Sequence, residues 1–483
     1  MSKLTVKPKS SVISQQLLDL SQDNEAVINS SIVTEESGGM VAVTITAEDV
    51  DSLIPKLEQN YNFEVIASSP ENHFVEGYVP TDLIPQLTAL GKQGLMGVLP
   101  IIQPETNAGI TTSQADFVHE SDRVRNSLPT GYDGTGVTIG IMSDSYDDLG
   151  GAAGDVASGD LPAAGVNVLQ DYDNNGSDEG RAMAQLVRDL APGSDLAFSS
   201  VFFGEADFAQ QIRDLADPAK GNADVLVDDV FYFYEPYFQD GVISQAVDDV
   251  VTNNGVSYFS SAGNNDDESY ESDDINFVTN ATGPSITRFP GTYYDFNTGA
   301  EVDTTQDIEL ADGQEIRFIF QWDDPFYTTN GVDTDLDLYL LDASGTIVTS
   351  STIDNIDSKT PLEDLQYTDV TTDGSSDLYQ LVIVNSGGGP DPGIIKYINR
   401  GDVPVSVEYP HDASTVFGHS AAVNAQALAA VPWFDQENPE SFTSKGSTTI
   451  AFEADGTPLP ATEVRQTPDI AAIDGTNWTF GKK

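Results

Sequence analysis

The sequence predicts an α/β fold: a doubly wound parallel sheet, preceded by a small α+β unit and interrupted by an inserted all-β sandwich. Three patterns point there. From Gly136 onward, apolar runs of strand length alternate with helical segments. Residues 40–102 read strand, helix, strand, strand, helix, strand. Residues 291–409 carry short strand-like runs between Gly, Asp, Asn and Ser turns, with no convincing helix among them.

Residues 1–36 are polar and rich in Ser, Gln and Asn, and are expected to form a loose arm. In the unit at 37–105, residues 40–45 alternate as a strand. Val50, Leu53, Ile54 and Leu57 recur at helical spacing within 47–59, with Pro55 as a point of kinking. Strands at 63–68 and 74–79 flank the turn Pro70-Glu71-Asn72. Thr81 is placed to cap a helix over 81–90, and 95–102 completes a ferredoxin-like set. Residues 106–129 form a polar linker, with one short helix expected at 113–126.

The α/β segment at 130–290 opens on 137–142, a near-continuous apolar run of the buried, parallel kind. It continues as helix 179–190, strand 195–203, helix 205–216, strand 224–230, helix 241–253 and strand 256–261. Pro192-Gly193 and Asn254-Gly255 end two of the helices. After the sandwich the α/β texture resumes over 410–483, beginning with a helix at 420–431.

Composition narrows the function. Lys and Arg number 20 against 78 Asp and Glu, a formal charge of −58. Such a surface repels nucleic acid and anionic membranes and suits high solubility, high salt or calcium-rich media. With no cysteine, disulfides, thiolate chemistry and Cys-based zinc sites are excluded. No stretch approaches the ~18–20 apolar residues of a membrane span, and the first residues lack a secretory leader pattern. The expectation is a monomer without nucleic-acid or membrane partners, extracellular by leaderless export.

Three residues stand where chemistry is expected. Asp144 ends the first buried strand, the sheet edge at which open α/β folds bind ligands. Alone it reads equally as a turn cap. Glu179 opens a helix, where an acidic residue also matches the helix dipole. Beside Asp144 it would form a carboxylate pair in which one pKa rises, making it a base at mildly acidic pH, while the dipole pulls the other way. Asn264 ends a buried strand in Ala262-Gly263-Asn264, where its amide could donate to a developing oxyanion or simply make a turn.

The joint order of several stretches resembles the subtilase superfamily of subtilisin-like and sedolisin-like serine peptidases. These are Gly131-Tyr132-Asp133-Gly134-Thr135-Gly136-Val137 through Asp144, Ala191-Pro192-Gly193, Asp224-Val225-Leu226-Val227, Ser261-Ala262-Gly263-Asn264, Ser441-Phe442-Thr443-Ser444-Lys445-Gly446 and Pro468-Asp469-Ile470-Ala471-Ala472. The resemblance implies that Asp144 is the family's strand-end aspartate and Asn264 its oxyanion asparagine. Glu179 falls at the family's histidine. The sedolisin branch also has glutamate there, with an aspartate one turn later, where this chain has Met183. Asp144 is then the available partner.

The family's serine follows the segment matched by 468–472 in a Gly-Thr-Ser motif, and residues 473–483 contain none. Gly418-His419-Ser420-Ala421-Ala422 mimics it in the wrong order, and His73, His119, His411 and His419 fit no triad position and read as structural. The unit at 37–105 resembles the family's propeptide. The insert resembles a pre-peptidase C-terminal sandwich, in which the alternating Asp333, Asp335 and Asp337 leave room for Ca²⁺. Asp171-Tyr172-Asp173-Asn174-Asn175-Gly176 resembles the start of an EF-hand loop, with Ala182 where a closing glutamate would stand. No cofactor is required. The implied function is a serine-type endopeptidase acting on protein or peptide, without its nucleophile in this chain. The other class is a non-catalytic, acidic, calcium-responsive binding protein on the same scaffold.

Overall fold

A computed structural model describes residues 12–21, 39–101, 105–106, 113–126, 131–279, 289–372, 374–402, 404–409 and 413–476. His411 and residues 477–483 lie outside these.

Part of the expected loose arm is packed. Ile13 bridges in parallel to Val98, and helix α1 (Gln15–Leu20) follows. Ile13 and Leu17 stand four apart, share one side of the segment and are both buried. Strands β1 (Met40–Ala47), β2 (Glu64–Ser69), β3 (Phe74–Pro80) and β4 (Leu95–Pro100) form a sheet in the order β2-β3-β1-β4, with every pairing antiparallel. Helix α2 (Val50–Tyr61) begins later than its periodicity suggests, because Asp49 accepts the Ser52 amide as its cap.

Thr81–Gln93 is a 3₁₀ helix, and Thr81 is not its cap. Pro85 lacks the N–H an α-helix would bond to Thr81, and its ring crowds that carbonyl. Beyond β5 (Glu105–Thr106), the helix expected at 113–126 is two pieces, α3 (Ala115–Val118) and α4 (Ser121–Arg125). They break at Glu120, whose φ of 56° is left-handed.

The α/β body runs through β6 (Thr138–Ser143), α5 (Ala152–Ser158), β7 (Asn167–Gln170), α6 (Glu179–Leu190), β8 (Asp195–Ser200) and α7 (Glu205–Ala216). It continues with β9 (Val225–Asp228), β10 (Val230–Phe231), α8 (Val242–Asp249) and β11 (Ser257–Ser261).

The insert begins earlier than position 291, with β12 (Ser269–Ser272) and β13 (Phe277–Val278). It goes on through β14 (Thr292–Tyr294), β15 (Gln306–Leu310), β16 (Glu315–Trp322), β17 (Leu336–Asp342) and β18 (Ile347–Ser351). A single helical turn, α9 (Asn355–Ser358), precedes β19 (Leu362–Thr368), β20 (Asp377–Asn385), β21 (Ile395–Asn399) and β22 (Ser406–Val407). One sheet is β12-β21-β16-β19; the other is β13-β14-β20-β15-β22, with β17 also paired to β20 and β18 paired to β17. Between them lies an aromatic core including Tyr294, Phe318, Trp322 and Tyr397.

The chain ends its described part with β23 (Ala425–Pro432), the hairpin of β24 (Ser447–Phe452) and β25 (Pro458–Gln466), and β26 (Ile470–Asp474). The helix expected over 420–431 is therefore strand β23, preceded by a 3₁₀ turn at Gly418–Ala421. Its alanines favour a helix locally. Pairing with β11 on one side and β26 on the other overrides them. The central sheet has seven strands in the order β26-β23-β11-β9-β6-β8-β7. All its pairings are parallel.

On one face of this sheet, Met142, Leu226 and Tyr258 pack against Phe208 and Ile212 of α7 and Val247 of α8. On the other, Ile141 and Phe198 pack against Ala184 of α6. That second cover thins beyond β6. Val227, Phe259 and Leu428 are only half-buried, and Ile470 is 48% exposed. The register places these residues on one face: Ile141 beside Val227, Val227 beside Phe259, and Ser261, Leu428 and Ile470 in the next row.

Candidate functional site

Parallel strands bring Asp144, Asp228 and the Asn264 turn to one carboxyl edge, because β9 lies between β6 and β11. Asp144 is buried and accepts the backbone N–H groups of Ser145, Ser177 and Glu179 and the Ser177 hydroxyl. Asp178, just before α6, is left-handed and makes no cap bond of its own. Asp144 thus serves the first turn of α6 from a distant strand, satisfying donors the helix leaves open. Its contact with Glu179 is to the backbone amide, at 3.1 Å. The Glu179 carboxylate, also buried, accepts the Ser143 hydroxyl at 2.7 Å. Asp178 closes the loop from the other side, taking Ser145 Oγ at 3.0 Å and pairing with buried Arg181 at 2.6 Å. Asp144→Ala is expected to cost about 1–3 kcal/mol, the scale of a lost cap plus stranded donors. The urea midpoint of the variant checks this; an unchanged midpoint would show that the carboxylate holds nothing.

The Asn264 side chain is half-buried and makes no hydrogen bond among the described residues. A second cluster, built on the end of β9 and on β11, is one that no sequence pattern reveals. His419 sits between two acids. Its Nε2 is 3.1 Å from Asp228 Oδ1, and its Nδ1 is 2.9 Å from Glu235 Oε1. All three side chains are buried. Ser260 Oγ donates to Asp228 at 2.8 Å, and Glu235 accepts the amides of Tyr232 and His419. Burial works against the imidazolium, but Glu235 and Asp228 outweigh it and raise His419 to about 10. Ser260 and Glu235 with His419 have the composition of a catalytic triad. A charged imidazole cannot take a serine proton, however, and Ser260 is buried, so the cluster is a clamp. It was illegible because 191 residues separate His419 from Asp228. Ser420, next to it, is buried and donates to the Phe417 carbonyl.

Asp228 and Glu235 bracket β10, and β10 pairs antiparallel with β5, Val230 opposite Thr106 and Phe231 opposite Glu105. A short stretch of the chain's own linker therefore lies along the carboxyl edge as an added strand. The N-terminal unit meets the same edge at α7. Buried Glu76 of β3 accepts the amides of Glu205 and Ala206 at 3.2 and 3.1 Å.

Two of the three candidate calcium ligands accept from protein donors. Asp335 accepts the Asn355 amide and the Ser386 hydroxyl, and Asp337 accepts the Tyr339 hydroxyl. Among the described residues, no group of three or more His, Cys, Asp or Glu side chains could hold a metal ion, Asp333, Asp335 and Asp337 included. Nor is any helix among them long and apolar enough to cross a membrane.

No family model matches the chain, and no curated protein does. Among solved structures it is similar to the epidermin leader peptide processing serine protease EpiP of Staphylococcus aureus. That likeness has 11% identity and a TM-score of 0.29, over 47% of this chain and 61% of that one. It is also similar to the CspB protease of Clostridium perfringens, with 10% identity and a TM-score of 0.38, over 74% of this chain and 83% of that one. The chain thus spans about three fifths of the Staphylococcus aureus protease.

Proposed function

We propose that this chain is the scaffold of a subtilase-type serine endopeptidase that holds an extended peptide along β10. The observation that carries this reading is the β5–β10 pairing at the carboxyl edge, between the ends of β6 and β11. Strand addition recognises a peptide through its backbone and leaves side-chain choice to flanking pockets. That is the mode expected of an enzyme acting on unfolded protein. In this reading Asn264 is the oxyanion donor and Glu179 the base, oriented by Ser143. Asp144 is a positioning residue that fixes the first turn of α6.

The nucleophile is the missing part. Ser420 is held by Phe417 away from this role, and Ser260 is locked beside a charged histidine. The half-covered face formed by Val227, Phe259 and Leu428 supports a reading in which a further apolar helix completes the sheet, since parallel sheets are covered on both faces. The 483-residue chain is therefore expected to hydrolyse an unstructured protein substrate far more slowly than a serine endopeptidase of this class, with only residual catalysis left. Loss of the serine in a comparable site costs on the order of 10⁶ in rate. A serine-directed fluorophosphonate should label no residue. Labelling at Ser420, or turnover abolished by Ser420→Ala, would overturn the assignment. The reading frame beyond Lys483 separates this from a binding protein: a Gly-Thr-Ser segment followed by a helix supports the enzyme, and a stop codon supports the non-catalytic reading.

A further inference from the structure

Strand addition along β10 leaves the choice of side chain open, and the inserted sandwich supplies a group that can make it. The chain is poor in cations, with 20 Lys and Arg among 483 residues. Three of them nevertheless lie over aromatic rings of one short stretch of the α/β body. Arg317 of β16 stands 4.8 Å from the Phe233 ring centre and Lys396 of β21 5.9 Å from that of Tyr237. Arg400, just beyond β21, stands 4.3 Å from that of Phe231. Phe231 belongs to β10, so a guanidinium of the insert rests against the strand itself.

Arg400 is buried and held from several sides. Its backbone amide donates to the Arg317 carbonyl at 2.7 Å. Its guanidinium also lies 4.8 Å from the Phe417 ring centre. Its Nη1 donates to Oδ1 of Asn265, the residue after Asn264. Asn265 is fixed in turn: its Nδ2 donates to the Asn399 carbonyl at 3.0 Å, and its backbone amide donates to Ser444 Oγ at 3.1 Å. A guanidinium stacked on rings keeps its N–H groups along the edge of the plane, where a carboxylate fits as a fork.

The register says which peptide residue meets that edge. In an antiparallel pair, residues directly opposite project to the same side, with Cβ atoms about 4.5–5.5 Å apart. A peptide residue opposite Phe231 therefore projects to the side where Phe231 carries Arg400. The residue opposite Val230 projects to the other side. This chain itself places Glu105 opposite Phe231 and Thr106 opposite Val230. The formal charge of −58 disfavours acidic peptides at long range. One fixed cation at the strand then favours a single carboxylate at one position, not acidic sequences in general.

We infer that Arg400 is a specificity-determining residue of the β10 site, selecting Glu or Asp at the peptide position opposite Phe231. The inference rests on the reading of β10 as a peptide-holding strand. It names the substrate class of that site: extended peptides with one acidic residue in register with Phe231, neutral or apolar at the next place.

Binding tests this without turnover, so the missing nucleophile does not enter. In the otherwise unaltered full chain, Glu105→Gln should speed amide exchange over 230–231 at least tenfold. For binding in trans, Glu105→Pro and Thr106→Pro are combined in the full chain. They remove both N–H donors of β5 and open β10. Labelled synthetic peptides spanning residues 101–109 are then titrated by fluorescence anisotropy. The natural peptide should bind at least tenfold more tightly than its Glu105→Gln form. A Glu105→Gln, Thr106→Asp peptide, with the acid moved one place, should bind no better than the Gln form. Arg400→Gln in the chain should erase the preference and Arg400→Lys should keep part of it; circular dichroism shows that each chain is folded. Equal binding of the three peptides would overturn the inference and leave strand addition standing. Binding by none of them would overturn strand addition, and the inference with it. A preference that survives Arg400→Gln would assign the selection to another residue and overturn the role of Arg400.

Discussion

Replacing His419 with glutamine is expected to destabilise the protein by about 3–5 kcal/mol, the cost of removing one partner from a buried ionic cluster. The reason lies in what remains. Asp228 and Glu235 are buried, and each loses the cation that faces it. Asp228→Asn and Glu235→Gln should each cost less than His419→Gln, because either leaves the imidazolium one carboxylate. The pH dependence follows from the raised His419 value. A group whose pKa is raised in the folded state contributes fully below its ordinary value, here about 6.5, and loses that contribution as pH rises through about 10. Urea midpoints of the parent should therefore fall between pH 7 and 10, and those of His419→Gln should fall less. Equal slopes would show that the histidine is not charged in the fold. Because Asp228 and Glu235 bracket β10, the variant should also expose the 105–106 strand. Faster amide exchange confined to 105–106 and 230–235 reports this; uniform acceleration across the sheet would mean that the cluster stabilises without positioning.

Periodicity reached the layers and failed where long-range contacts decide. The alternation of 137–261 is local information, since each apolar strand and each helix carries its own pattern. Position 425 onward does not, because an alanine run fits a helix or a buried strand, and only the neighbours β11 and β26 choose. The polar look of residues 1–36 hid Ile13 and Leu17, two apolar residues whose burial partner β4 lies about eighty positions on. At the site, Asp144 and Glu179 were legible because each ends or begins an element at the edge where ligands bind. Asp228, Glu235 and His419 were not, since no spacing rule links a strand end, a loop and a distant 3₁₀ turn. Asp144 shows a third case. Its position was legible, but its engagement with the backbone of α6 depends on the left-handed turn at Asp178, which residue types alone do not specify.

Alkaline pH is expected to loosen the N-terminal unit. Glu76 is buried at the interface, and burial, opposed by the amides of Ala206 and Glu205 and joined by the nearby charge of Asp207, raises its carboxyl to about 8. Across a cavity of about 40 Å³, Glu205 is also held well above its ordinary value, first by burial and then by Glu235 and Glu76. The other groups facing the pair are Thr44 of β1, Tyr232, Tyr327, Lys359 and, behind Glu235, the charged His419. Carboxyl groups thus outnumber cations, and each deprotonation adds a negative charge to a poorly solvated space. In the separated unit Glu76 returns toward 4.5, so the docked state holds more protons between these values. Affinity is then full below pH 4.5 and falls as pH rises through about 8, by up to about tenfold per pH unit for Glu76 alone. Linker-cut protein should accordingly retain its N-terminal fragment better at pH 5 than at pH 9. Glu76→Gln keeps an acceptor for the α7 amides without the charge, so it should flatten part of this dependence, and Glu205→Gln added to it should flatten the rest. A steep dependence surviving in the double variant would place the sensitive groups elsewhere in the interface.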